Sequence, residues 1–122
     1  QEDVRIETHA IECRINAEDP AHNFRPSCGT ISLLHVPGGP WVRFDTALYQ
    51  GYTIPPFYDS MIAKLIVSAR TRAEAIRKMQ AALCEMVVEG VEHNAATHIE
   101  LLGEPAFVEG TYTTDYLTKR NQ

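Results

Sequence analysis

Glycine and proline break the first half of the chain so often that no crossover helix fits between its apolar segments. The breaks are "RPSCGT", "VPGGP", "YQGY" and "IPPFYD", each built from residues that favour turns. Between them lie "TISLLHV", "WVRFDTALY" and "SMIAKLIV", rich in the β-branched and large apolar side chains that suit strands. Parallel neighbours need connections of about a dozen residues or more, so these strands are expected to run antiparallel. "HAIECRINAEDP", from His9 to Pro20, adds another strand. A period of two puts His9, Ile11, Cys13 and Ile15 on one face and Ala10, Glu12, Arg14 and Asn16 on the other. The charged face meets either solvent or a ligand, and alternation does not choose between them.

The second half changes period. Thr71 followed by Glu74 is a capping box and predicts a helix start. Ile76, Met79, Leu83, Met86 and Val87 then recur at three-to-four spacing, and Gly90 is the expected stop. Asn94 is expected to cap a shorter helix carrying Ile99 and Leu102, ended by Gly103 and Pro105. "TTDYLTKR" suits one or two further helical turns. Strands first and helices later, without βαβ alternation, predict an α+β fold: an antiparallel sheet with about three helices packed on one side.

A chain of 122 residues with 44% hydrophobic content closes one core, so residues 1–122 are expected to form a single domain. The net charge of −5, with acids and bases mixed, offers no basic stripe for nucleic acid. No apolar run reaches the length of a membrane span, and "QEDVRIETH" is too polar for a signal peptide, so a cytoplasmic protein is expected. Cys13, Cys28 and Cys84 are odd in number and lack CxxC spacing, which speaks against disulfides and a zinc site. His93 and His98 stand five apart instead of the four that align side chains on a helix, and no metal is expected there.

Chemistry-bearing patterns are few. "VPGGP" has no helix after it and reads as a tight turn, not a phosphate loop. Ser60 lacks a GxSxG elbow. Three charge pairs sit among apolar residues: Glu12 with Arg14, Arg43 with Asp45, and Asp59 with Lys64. The first two, at i, i+2 on strands, share a face and can meet directly or through a common ligand, and spacing alone favours structural ion pairs. In "PPFYDSM" two prolines and two aromatics press Asp59 into a turn, where bonding to backbone amides is its simplest role.

In order, "HAIECRINAEDP", "FRPSCGTI", "PGG", "YQGYTIPPFYDSMIAKLI", "EGVEHN" and "GTYTTDYL" resemble the C-terminal domain of biotin carboxylase over nearly the whole chain. The resemblance implies a reaction in which ATP, magnesium and bicarbonate yield carboxyphosphate, whose carbon dioxide passes to biotin on a biotin carboxyl carrier protein. It implies that the N-terminal and ATP-grasp domains lie outside this chain, and that the chain alone binds none of these groups and is inactive. Arg14 matches the arginine facing the ureido oxygen of biotin, with Glu12 and Asn16 supporting it. Asp59 matches a carboxylate near the biotin region, and Thr114 occupies a place beside the adenine of ATP.

Arg43 matches an arginine of the family's homodimer interface, to which Trp41 is also assigned. The family often has Gly-Gly-Phe-Gly-Val-Arg where this chain has Gly38, Gly39, Pro40, Trp41, Val42 and Arg43. The aromatic is displaced by one position, which turns it to the other face of a strand. Thr8 and Cys28 replace a glycine and a proline common in the family. The parent is expected to be the biotin carboxylase of an acetyl-CoA carboxylase serving fatty acid synthesis, working with carboxyltransferase subunits. The chain ends soon after "DYLTKR", which favours a separate subunit over a fused chain. The alternatives are a propionyl-CoA or pyruvate carboxylase, or a non-catalytic structural and dimerisation module.

Overall fold

The computed structural model describes residues 8–56 and 60–111. The elements are β1 (His9–Asn16), β2 (Glu18–Asp19), β3 (Arg25–Pro26), β4 (Gly29–Thr30), β5 (Leu33–His35), β6 (Val42–Thr46), β7 (Thr53–Ile54), β8 (Met61–Ala69), α1 (Arg72–Glu85), β9 (Val87–Glu89), α2 (Ala95–Gly103) and α3 (Pro105–Glu109). Their order is α+β. Strands β1, β8 and β6 form one sheet with β8 central, and three two-stranded ladders pair β2 with β3, β4 with β7 and β5 with β9. Every pairing is antiparallel, as the short loops require.

Alternation along β1 holds. Cys13 and Ile15 are buried while Glu12 and Arg14 are exposed. Their cross-strand partners Leu65 and Ala63 on β8 are buried too, so one face of the sheet enters the core. Against that face lies α1, through Ile76, Met79, Ala82 and Leu83. Ile15, Ile31, Leu65, Val67 and Met79 are the largest fully enclosed side chains and mark the centre of the core.

Half of the expected capping box of α1 is present: the Thr71 hydroxyl accepts from the Glu74 N–H at 3.1 Å, while no bond joins the Glu74 carboxylate to the Thr71 N–H. The expected stop at Gly90 is corrected: α1 ends at Glu85, and Val87–Glu89 forms β9 against β5. Gly90 instead takes φ +112° where the backbone crosses β4, and a Cβ there would collide with the Thr30 carbonyl oxygen. Two expected strands are also redrawn. "TISLLHV" divides between β4 and β5, because the amides of Ile31 and Ser32 turn to Tyr52 and Glu89. β6 stops at Thr46, whose hydroxyl donates to the Ile62 carbonyl at 2.6 Å and accepts from the Leu48 N–H.

α2 ends at Gly103 as expected, but Pro105 opens a third helix instead of only closing the second. Arg72 ties α3 to the start of α1: its guanidinium lies 4.6 Å from the centre of the Phe107 ring and donates to the Phe107 carbonyl. The helical turns expected in "TTDYLTKR" fall outside the described residues.

Candidate functional site

The sheet face turned away from α1 carries the charges. Register sets Glu12, Ile66 and Arg43 in one row across β1, β8 and β6, and Arg14, Lys64 and Asp45 in the next. Residues opposite one another in antiparallel strands share a face, so these rows form one surface. Within it the two i, i+2 pairs behave differently. Arg43 Nε donates to Asp45 Oδ1 at 2.9 Å, and this carboxylate raises the guanidinium pKa above its usual value through the hydrogen bond and the charge. Arg14 Nε stands 3.5 Å from Glu12 Oε1, the limit of a hydrogen bond, so the pairs differ in geometry and not in exposure, which is 70% for the Arg14 side chain and 73% for Arg43.

Directly opposite Arg14 is another cation, Lys64. Like charges in facing positions repel, so this row has an excess of positive charge at its β1 end. The register shifts just beyond it: Ile15 faces Ala63 and Asn16 faces Met61, so β8 carries one extra residue, Ile62, at this point, and an extra residue of this kind increases the local twist of the strand pair.

The backbone at Arg14 is held from the start of α2. The Asn94 amide Nδ2 donates to the Arg14 carbonyl at 3.2 Å, and its Oδ1 accepts from the Asn16 N–H at 2.9 Å. His98 Nε2 reaches the same Arg14 carbonyl at 2.8 Å. A carbonyl only accepts, so this contact uses the tautomer with the proton on Nε2, and Asn94 Nδ2, 3.3 Å from the same nitrogen, is then a neighbour and not a donor to it. Asn94 occupies the expected N-cap position of α2 without capping it, and the Ala95 N–H goes to His93 Nδ1 at 3.3 Å. Burial lowers the pKa of His93 and favours this accepting, neutral ring, against an opposing push from Glu92.

Of the residues singled out by sequence, Glu12, Arg14 and Asn16 come together on or beside this face. Arg43 lies on the same face, two strands away. Trp41 does not join it. It precedes β6 with φ +63° and lines an open cleft of about 950 Å³ with Ser68, Arg70, Arg77 and Lys78. The positive φ at Trp41, just before β6 begins, puts the ring in this cleft instead of on the face that carries Arg43. Asp59 and Thr114 lie outside the described residues. Asn94 and His98 are the members that sequence reasoning does not find, although their spacing of four, which puts them on one side of α2, is a signal for them. Among the described residues no cluster of His, Cys, Asp and Glu suits a metal ion, and no helix is long and apolar enough to cross a membrane.

Comparison with known proteins identifies the family. The family model described as the biotin carboxylase C-terminal domain matches residues 12–119. Biotin carboxylase 1 of Bacillus subtilis is 54% identical over 117 residues, 96% of this chain and 26% of its own length. A pyruvate carboxylase subunit of Methanothermobacter thermautotrophicus is 46% identical over 117 residues, 96% of this chain and 24% of its own. The biotin carboxylase domain dimer of Hydrogenobacter thermophilus 2-oxoglutarate carboxylase, solved with MgADP, ADP and bicarbonate, superimposes with a TM-score of 0.92 at 44% identity. It covers 99% of this chain and 27% of that one. The chain thus spans about a quarter of the length of these relatives. With a family model over most of its length and relatives near half identical, the chain belongs to the biotin carboxylase C-terminal domain family.

Proposed function

We propose that this chain forms one side of the biotin site of a biotin carboxylase, with Arg14 as the donor facing the ureido oxygen. The observation that carries the reading is the contrast between the two arginines. Asp45 neutralises Arg43 at 2.9 Å, while Arg14 faces Lys64 and touches Glu12 only at 3.5 Å. A guanidinium so placed is available to an anion. When the ureido nitrogen of biotin loses its proton, negative charge moves onto the ureido oxygen, and a fixed guanidinium stabilises it.

Removing such a donor costs on the order of 10²-fold in rate. In the full-length enzyme, Arg14→Ala is expected to lower biotin carboxylation by that amount while bicarbonate-dependent ATP hydrolysis persists. Unchanged carboxylation sinks the assignment, and a loss of thermal stability with both activities falling together supports a structural module instead.

The same reading puts Asp59 near the biotin and Thr114 beside the adenine. It makes a biotin carboxyl carrier protein the partner that delivers biotin, and carboxyltransferase subunits the consumers of the product, in a cytoplasmic homodimeric enzyme. The reading takes an acetyl-CoA carboxylase as the parent; the 54% identity to the Bacillus subtilis biotin carboxylase supports the biotin carboxylase step. Pyruvate and 2-oxoglutarate carboxylase subunits are also relatives, so acceptor choice is read by pairing the full-length protein with each carboxyltransferase in turn.

A further inference from the structure

We infer that Asn94 and His98 are positioning residues for Arg14, acting through its backbone carbonyl; the inference rests on the proposed role of Arg14. Arg14 has little of its own to hold it, since its side chain is exposed and Glu12 lies at the limit of bonding distance. The direction of its guanidinium is therefore set by where β1 places its Cα and Cβ. β1 is an outer strand of its sheet, with β8 on one side only. Its outward polar groups at Arg14 and Asn16 meet the start of α2 instead of another strand.

The fit there is specific. The Asn94 side chain acts as a single peptide unit of a missing strand, donating to the Arg14 carbonyl and accepting from the Asn16 N–H. The Asn94 N–H also donates to the Asn16 carbonyl at 3.2 Å. His98 adds a second donor to the Arg14 carbonyl, from one turn further along α2. These bonds bracket the step between Ile15 and Asn16 where the β1–β8 register shifts, so α2 holds β1 where its ladder to β8 is interrupted. Asn94 is a buried polar residue, so its orientation is itself fixed by packing. A donor to a developing oxyanion must be held to about 0.5 Å to be effective, and this clamp supplies that constraint from behind the strand.

The test uses the full-length enzyme and three variants: His98→Ala, His98→Gln and Asn94→Asp. His98→Ala removes one donor to the Arg14 carbonyl, and His98→Gln offers an amide N–H in its place. Asn94→Asp keeps the acceptor for the Asn16 N–H but aims a carboxylate oxygen at the Arg14 carbonyl. For His98→Ala and Asn94→Asp the expected result is a fall of about tenfold in kcat for carboxylation of free biotin. KM for biotin and bicarbonate-dependent ATP hydrolysis should stay near wild type in both, as should the melting temperature of His98→Ala; Asn94→Asp buries a carboxylate against a carbonyl and melts at a lower temperature. His98→Gln should restore most of the rate. In an Arg14→Ala background, His98→Ala should have no further effect, because the two act as one unit.

Wild-type carboxylation in both His98→Ala and Asn94→Asp, with Arg14→Ala inactive, overturns the positioning role and leaves the Arg14 assignment standing. An additive loss in the double variant, or parallel losses of ATP hydrolysis and melting temperature in His98→Ala, also overturns it. An active Arg14→Ala enzyme removes the underlying assignment itself.

Discussion

Arg14 and Arg43 are the same residue type with the same i, i+2 acid neighbour, yet only Arg43 is neutralised by its partner. The difference is legible only in three dimensions. Spacing shows that each pair shares a face; it does not show that Lys64 lies opposite both Arg14 and Asp45. Between Glu12 and Arg14, the Cys13 side chain points the other way, into the core. Burial, with the Glu12 charge adding to it, pushes the Cys13 thiol up to about 12. The thiolate is the reactive form, so Cys13 stays inert at about pH 8 while the exposed Cys28 and Cys84 are open to reagent. Iodoacetamide is therefore expected to modify Cys28 and Cys84 in the folded protein and Cys13 only after denaturation. Peptide mapping by mass spectrometry reads this directly, and early labelling of Cys13 contradicts its placement in the core.

At the scale of elements, the long periodic segments are readable in the sequence and the short paired ones are not. The start of α1 is a local matter between Thr71 and Glu74, three positions apart. β9 is three residues long and owes its existence to β5, more than fifty positions away. Met86 and Val87 extend the helical spacing of the residues before them, so period alone assigns them to the helix. Gly90 has the conformational freedom of a helix stop and uses it elsewhere. Its positive φ serves a close crossing with Thr30. Gly90→Ala is accordingly expected to destabilise the protein by at least about 1 kcal/mol, measured as a lower midpoint in urea. Gly103→Ala is the control, since a Cβ there meets nothing nearby, and equal effects of the two would refute the crossing. Asn94 shows the reverse: its N-cap position is legible, but its side-chain partners lie about eighty residues away.

The whole molecule has one sheet face covered by α1 and one face bearing two rows of charged residues. A mixed-charge face of this kind suits a partner that matches it, and the dimer assignment for Arg43 is tested there. Arg43→Glu sets two carboxylates at i, i+2 on β6 in place of the 2.9 Å pair. Sedimentation of the full-length enzyme is expected to show association weakened by on the order of tenfold or more. An unaltered dimer removes Arg43 from the interface.

The contact between α2 and β1 also bears on how the sheet avoids its neighbours. An outer strand with free amides and carbonyls is a template on which stray chains can polymerise. The Arg14 carbonyl and the N–H and carbonyl of Asn16 are already occupied by Asn94 and His98. On the opposite flank β6 is only five residues long and carries Arg43 and Asp45, features that discourage strand addition. The residues that hold the proposed biotin-facing arginine thereby double as gatekeepers, sealing the end of the sheet where an aggregate could otherwise nucleate.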